Sequence, residues 1–194
     1  MKKKMSTGKI VGISIAVVVV LIILWVAGSY NGLVGADEGV NEKWANVQTA
    51  YQRRADLIPN LVETVKQYSD YEGNILTEIT NARASIGKAN SPSELQAAGN
   101  EMNSALSRLL VVVENYPNLK ANENYLSLQD ELAGTENRIK TERDIYNKAV
   151  KALNIKVRRF PTNIIAGMFG FSTKEMFEAD AGAATAPDVK NLFE

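Results

Sequence analysis

Residues 40–65 read VNEKWANVQTAYQRRADLIPNLVETV, and the architecture turns on this stretch. Val40, Trp44, Val47 and Tyr51 recur at threes and fours, the spacing that places side chains on one face of an α-helix. The stripe stays nearly in phase through Leu61, yet it crosses Pro59. A proline inside a helix costs about 3 kcal/mol, because its ring removes an N–H and meets the carbonyl four residues back. Pro59 therefore marks either a kink in one long helix or a break between two. The break is favoured, since Asp56 is suited to accept the free amides of a new helix and a break yields four helices of similar length. A kinked helix would leave a three-helix body.

Toward the C-terminus the helical period continues, with almost no two-residue alternation. Leu61, Val62, Val65, Tyr68, Ile75, Leu76 and Ile79 form a second stripe, with only Glu72 out of character. Ser91-Pro92-Ser93-Glu94 is a start signal: Ser91 caps free amides, Pro92 fits the first helical position and Glu94 closes a capping box. Leu95, Met102, Leu106, Leu109 and Val113 follow, ending at Tyr116-Pro117. A fourth stripe runs through Tyr125, Leu128, Leu132, Ile139, Tyr146, Val150, Leu153 and Val157. Four amphipathic stripes with short connections predict an all-α chain, an up-down-up-down four-helix bundle. Trp44, Tyr68 and Tyr125 read as core.

Toward the N-terminus, residues 10–27 read IVGISIAVVVVLIILWVA, eighteen residues without a charge. At about 1.5 Å per residue they reach roughly 27 Å, close to a hydrocarbon core of about 30 Å. Ile10 opens the run, and Trp25 and Tyr30 stand where an aromatic belt meets the interface. The alternative is a cleaved signal peptide, for which Ala27-Gly28-Ser29 offers small residues, but apolar signal cores run only about 7–15 residues. Lys2, Lys3, Lys4 and Lys9 precede the run and every acidic residue follows it. Basic flanks stay cytoplasmic, so the expectation is a single-pass protein of a bacterial cytoplasmic membrane with its bundle outside the cytoplasm.

The formal net charge is zero, but beyond the anchor 18 basic residues face 22 acidic ones. A mildly acidic body lacks the concentrated basic face that nucleic acid requires. Cysteine and histidine are absent, which removes disulfides, ordinary zinc sites, thiolate nucleophiles and Ser-His pairs. No cofactor is expected.

Alternating helices place two turns, near Arg54–Pro59 and Tyr116–Leu119, together at the membrane-distal tip. There Arg53, Arg54 and Asp56 would neighbour Glu114, Asn118 and Lys120. These are read first as ion pairs and caps that fasten two hairpins, and second as a partner-docking surface. Arg83 and Glu136 are further charges of interest. The fourth helix returns the chain to the bilayer, where Arg158 and Arg159 precede the apolar run Phe160–Phe171, too short to span. Phe160, Ile165, Phe169 and Phe171 then meet lipid or another chain, or pack back on the bundle. The divisions expected are a basic tail over 1–9, the anchor over 10–29, the bundle over 30–158, the apolar segment over 159–178 and a loose tail over 179–194.

These stretches carry a family resemblance. Tyr30-Asn31-x-Leu33-Val34 is followed by Trp44, then by Arg53-Arg54-x-Asp56-Leu57-Ile58-Pro59-Asn60-Leu61-Val62 and Ala82-Arg83-Ala84. Glu114-x-Tyr116-Pro117-x-Leu119-Lys120-Ala121-Asn122 and Glu131-Leu132-x-Gly134-Thr135-Glu136-Asn137-Arg138-Ile139 come next. Arg143-x-x-Tyr146-Asn147, Phe160-Pro161 and Gly170-Phe171 complete the series. From about residue 30 to 177 this order resembles the bacterial LemA family. The resemblance implies an envelope protein with an N-terminal anchor and an up-down helical bundle, and it carries no active site across.

Three functions follow in order of preference. The first is a non-catalytic anchored scaffold that binds envelope or membrane proteins, with self-association as one route. The second is a sensor or regulatory subunit of a membrane enzyme such as a protease. The third is a carboxylate-based hydrolase, which a lone carboxylate pair without a supporting constellation makes remote.

Overall fold

A computed structural model describes residues 7–68 and 74–179. The order is α1 (Thr7–Lys66), α2 (Asn74–Lys88), α3 (Pro92–Val113), α4 (Pro117–Lys120), α5 (Glu123–Arg158) and α6 (Thr162–Phe169). Among the described residues there is no strand. Lys2, Lys3, Lys4 and Glu72, and the tail beyond Ala179, lie outside the described residues.

The expected break at Pro59 does not occur. α1 runs sixty residues with Pro59 inside it. The reason is the phase of the stripe: Ala55 and Ile58 before the proline are fully buried, and Leu61 and Val65 after it are 1% and 3% exposed. Continuing the helix keeps all four on one face. Each large one is worth about 1.5–3 kcal/mol buried, which outweighs the roughly 3 kcal/mol cost of an interior proline. The helix ends instead in a turn at Gln67–Tyr68. Asp56 is consequently mid-helix and caps nothing.

Elsewhere local chemistry and structure agree. Ser91 is the N-cap of α3, its hydroxyl accepting from the Glu94 N–H, with Pro92 in the first turn. The Glu94 carboxylate reaches back to the Asn90 N–H at 2.8 Å. The fourth stripe forms the single helix α5, with Tyr125, Leu132, Ile139, Tyr146, Val150 and Leu153 all buried. Tyr68 departs from expectation: it is 38% exposed, because it follows the last turn of α1 and its hydroxyl accepts from Asn122 Nδ2.

The described chain divides into two compact units. One comprises the segment up to Lys43 with Lys148–Lys174, and the other Trp44–Asn147 with the segment from Glu175 onward. In the second unit the partners of α1 run in opposite order along the chain. Trp44 meets Tyr146 with ring centroids 5.6 Å apart, Arg54 pairs with Glu136, and Tyr68 meets Asn122. Between α2 and α3, Glu78 pairs with Arg108. Gly99 admits a close approach, since a Cβ there would stand 2.7 Å from Tyr51 Cε1, and the Tyr51 ring is itself buried. Gly99→Ala should therefore destabilise the protein by about 1 kcal/mol net, overpacking exceeding the gain in helix propensity. Urea denaturation checks this; a more stable variant would show that the ring gives way.

In the first unit Leu33, Ile165 and Ala166 form a buried cluster, with Val26, Val157 and Phe171 packed against it. Gly170, with φ +79°, closes α6 in the left-handed conformation that glycine adopts without strain. Asn154 bonds the Lys174 backbone in both directions, at 2.9 and 2.8 Å, and the Lys174 ammonium pairs with Asp37 at 3.1 Å.

Candidate functional site

The adjacent arginines of α1 have different fates, because successive helical residues point about 100° apart. Arg54 turns inward to a part-buried ion pair with Glu136 on α5. Arg53 is exposed and lines a groove of about 630 Å³ together with Thr49 and Ala50 of α1 and Glu131, Thr135, Arg138 and Glu142 of α5. Glu142 is 4% exposed. A carboxylate taken out of water needs a charged or hydrogen-bonding partner, and Arg138 supplies one from the preceding turn at 2.7 Å. The Thr135 hydroxyl is satisfied by donating to the Leu132 carbonyl at 2.8 Å. Asp56, one turn past Gln52, accepts from Gln52 Nε2 and from Arg83 Nη2 at 3.0 Å each. It therefore ties α1 to α2.

The two polar clusters expected to share a tip are apart. Residues 53–59 belong to the helix α1, not a turn. The Glu114–Lys120 stretch adjoins Tyr68 instead: Asn118, Asn122 and Tyr68 line one shallow depression. Along α5, Glu136 and the Asn122 that meets Tyr68 are separated by about 20 Å of helical rise. Glu114, Asn118 and Lys120 are exposed, and the buried Leu119 between the latter two pins α4. Asn118 is not a cap, since Tyr116 occupies that position and makes no side-chain cap bond.

A site missed in the sequence lies elsewhere in the same unit, where the extended segment Glu175–Glu178 is held by side chains. Asn147 donates to the Phe177 carbonyl at 3.0 Å and accepts from its N–H at 2.9 Å. Tyr146 Oη donates to the Glu175 carbonyl, and Arg143 and Gln96 both donate to the Glu178 carbonyl. The Phe177 ring is 5% exposed, stacked on Trp44 at 6.0 Å with the Arg143 guanidinium 5.0 Å from its centre. The only signal in the sequence was the Arg143-x-x-Tyr146-Asn147 motif, all three of whose named residues grip this strap.

Burial, and then the Glu175 carboxylate, raise the Tyr146 phenol above its ordinary value, and burial raises Tyr125. A raised folded value means the folded state holds the proton more tightly. Stability is then fully present below about pH 10 and is lost as pH rises through the folded values. Urea titrations from about pH 9 to 11 should show this fall in the wild type and a shallower one in Tyr146→Phe. Equal slopes would contradict the assignment.

In the first unit Arg158, Arg159 and Phe160 are exposed, Ile165 is buried, and Phe169 and Phe171 lie 4.8 and 5.9 Å from the Tyr30 ring. One face of this segment therefore packs on α1 while Phe160, Ile164 and Met168 stay exposed. Ile10 and Trp25 are 49% and 42% exposed, and an eighteen-residue window of α1 has mean hydropathy 3.2 with none of it buried. That window is long and apolar enough to cross a membrane.

Within the 630 Å³ groove Arg138 pairs with Glu142. Glu131 and Glu142 are separated by about 16 Å of rise along α5, beyond the roughly 5–9.5 Å at which two carboxylates share one reaction. Among the described residues no group of three or more His, Cys, Asp or Glu is placed to hold a metal ion.

Fold and site together define an all-helical protein with one N-terminal helix of membrane-crossing character and a charged helical body. The chain belongs to the LemA family, whose model matches residues 43–191. Among curated proteins it is similar to magnetosome protein MamQ 2 of Paramagnetospirillum magneticum, at 26% identity over 85% of this chain and 70% of that protein. It is similar also to MamQ of Magnetospirillum gryphiswaldense, at 22% identity with the same coverage, and to protein LemA of Metamycoplasma hominis, at 26% over 78% of this chain and 70% of that one.

Proposed function

We propose that this protein is a single-pass scaffold of the bacterial cytoplasmic membrane, with residues 1–9 inside the cell and the helical body outside, binding envelope or membrane proteins. The observation that carries the reading is the apolar window of α1, no residue of which is fully buried by the described chain. Left in water, so many exposed Val, Ile and Leu side chains would drive association. The lysines before the run and the acids after it support the orientation. In the second unit, the opposite order of α1 and α5 partners and the α2–α3 pairing support an up-down-up-down bundle, built now from α1's distal part, α2, α3 and α5.

Docking falls to the exposed polar residues. Arg53 and Asp56 flank the open face of α1, and Glu114, Asn118 and Lys120 surround the end near Tyr68. Arg54 serves only as a strut to Glu136, whereas Asp56, exposed, also ties α1 to α2 through Arg83. A photo-crosslinker in place of Arg53, in the full chain in native membranes, should capture a partner protein stoichiometrically, and Asp56→Arg should diminish that capture. Crosslinks to other copies alone would replace the scaffold with a self-assembling homo-oligomer. A second reading, a regulatory subunit of a membrane enzyme, draws on the unbroken course of α1 from the apolar window to the arginine pair. Retained partner binding with changed partner activity in the Asp56→Arg chain would favour it.

A further inference from the structure

Among the described residues, the outer face of α6 is uncovered. Ile164 and Met168, four residues apart on α6, are 52% and 73% exposed, and Phe160, in the turn before the helix, is 75% exposed, while the opposite face of α6 buries Ile165 and Ala166. No residue of α6 carries a charge. Its inner face meets Leu33 together with Val26, and Val26 belongs to the uncharged run of residues 10–27. Leu33 is about 10 Å of rise beyond Val26, so α6 packs against the last turns of the membrane-crossing stretch. Tyr30, an interface-type side chain, is in ring contact with Phe169. Arg158, the last residue of α5, and Arg159 lie just before the turn into α6, exposed and with no ion-pair partner among the described residues. Nearby Lys156 is differently engaged, donating to the Gly32 carbonyl at 3.1 Å.

We propose that α6 is an interfacial helix: Phe160, Ile164 and Met168 enter the boundary between acyl chains and headgroups, and Arg158 and Arg159 bind the phosphates of anionic phospholipid in the same leaflet. The occupant is lipid because the inner face of α6 packs on Val26, near the end of the uncharged run, which sets the helix at the level where that run meets the membrane surface. An uncharged helix lying at that level meets acyl chains on any side not covered by protein. Two adjacent guanidiniums beside it match headgroup phosphates in charge and geometry. The helix thus fixes how far the span is drawn out of the bilayer, as a collar does on a rod.

The proposal rests on the anchored reading, and the test separates the two. The chain has no cysteine, so single labels are unambiguous. The full-length protein is reconstituted into phosphatidylcholine vesicles with and without phosphatidylglycerol, carrying a polarity-sensitive fluorophore on Met168→Cys, Val18→Cys or Ser127→Cys. Doxyl groups near the headgroup or deep in the acyl chain act as quenchers. The expected result is a blue shift and strong quenching of the Met168→Cys label by the shallow quencher. The Val18→Cys label should be quenched by the deep one and the Ser127→Cys label by neither. Phosphatidylglycerol should increase the Met168→Cys blue shift, and Arg158→Ser with Arg159→Ser should abolish that increase. A quenched Val18→Cys label beside an unquenched Met168→Cys label overturns the proposal while leaving the anchor intact. An unquenched Val18→Cys label overturns the anchor itself. A Met168→Cys label that is blue-shifted, unquenched and crosslinked to another copy assigns the face to a second chain and overturns the lipid assignment.

Discussion

Replacing Phe177 with Ala should lower the unfolding free energy by about 3–5 kcal/mol, the range for truncating a buried aromatic ring. The ring is enclosed on several sides, by Trp44, by Tyr146 at 5.5 Å and by the Arg143 guanidinium, so the cavity has little room to collapse. The loss extends beyond the ring. Phe177 aligns the backbone that Asn147 bonds in both directions, and a strap that lifts away leaves that amide to water and Trp44 uncovered. Phe177→Leu keeps much of the apolar volume and should lose markedly less. Asn147→Ala should cost about 1–3 kcal/mol by orphaning a backbone donor and acceptor. Urea denaturation of the detergent-solubilised chain reads all three. An Ala variant within about 1 kcal/mol of wild type, against that expected range, would mean that the strap is not part of the folded unit.

The second large effect concerns the anchor. Ile15, Val18 and Leu21 are 60%, 54% and 60% exposed, so substitution there removes no packing inside the chain. Each arginine at the centre of a span costs about 2.5–3.5 kcal/mol, whereas each apolar residue of the run contributes only about 0.3–0.6 kcal/mol. Three arginines therefore cancel most of the favourable insertion of the entire run. Ile15→Arg with Val18→Arg and Leu21→Arg should move the protein from the carbonate-resistant membrane pellet to the soluble fraction or to degradation. A triple variant that stays in the pellet would mean that another part of the chain holds it.

Much of the fold was legible because burial imposes a period. The stripes of α3 and α5 could be read directly, since their large buried side chains recur at three, four or seven residues and no proline interrupts the interior of either helix. The Ser91 box was legible because capping is local chemistry. Pro59 was misread for the opposite reason. Its local cost is fixed and visible, whereas the offsetting burial of Ala55, Ile58, Leu61 and Val65 is tertiary. The same error moved Asp56 from a cap to a strut with Arg83 and separated two polar clusters that were expected to meet. The strap itself was not legible, although the Arg143-x-x-Tyr146-Asn147 motif that grips it was. An extended segment held by side chains has no period, and Asn147 looks like any polar residue on a helix until its partner is placed. Glu142 was hidden likewise: its carboxylate is one of several on α5, and only tertiary packing makes it buried.

The central claim is that this chain is anchored by its N-terminal helix with its body outside the cytoplasm, and accessibility of a single introduced thiol tests it most directly. Ser6→Cys and Ser127→Cys are made separately in the otherwise cysteine-free chain and exposed to a membrane-impermeant maleimide in cells whose cytoplasmic membrane is intact. The account predicts labelling of Ser127→Cys in intact cells and of Ser6→Cys only after lysis. Labelling of Ser6→Cys in intact cells, with Ser127→Cys protected until lysis, would contradict it.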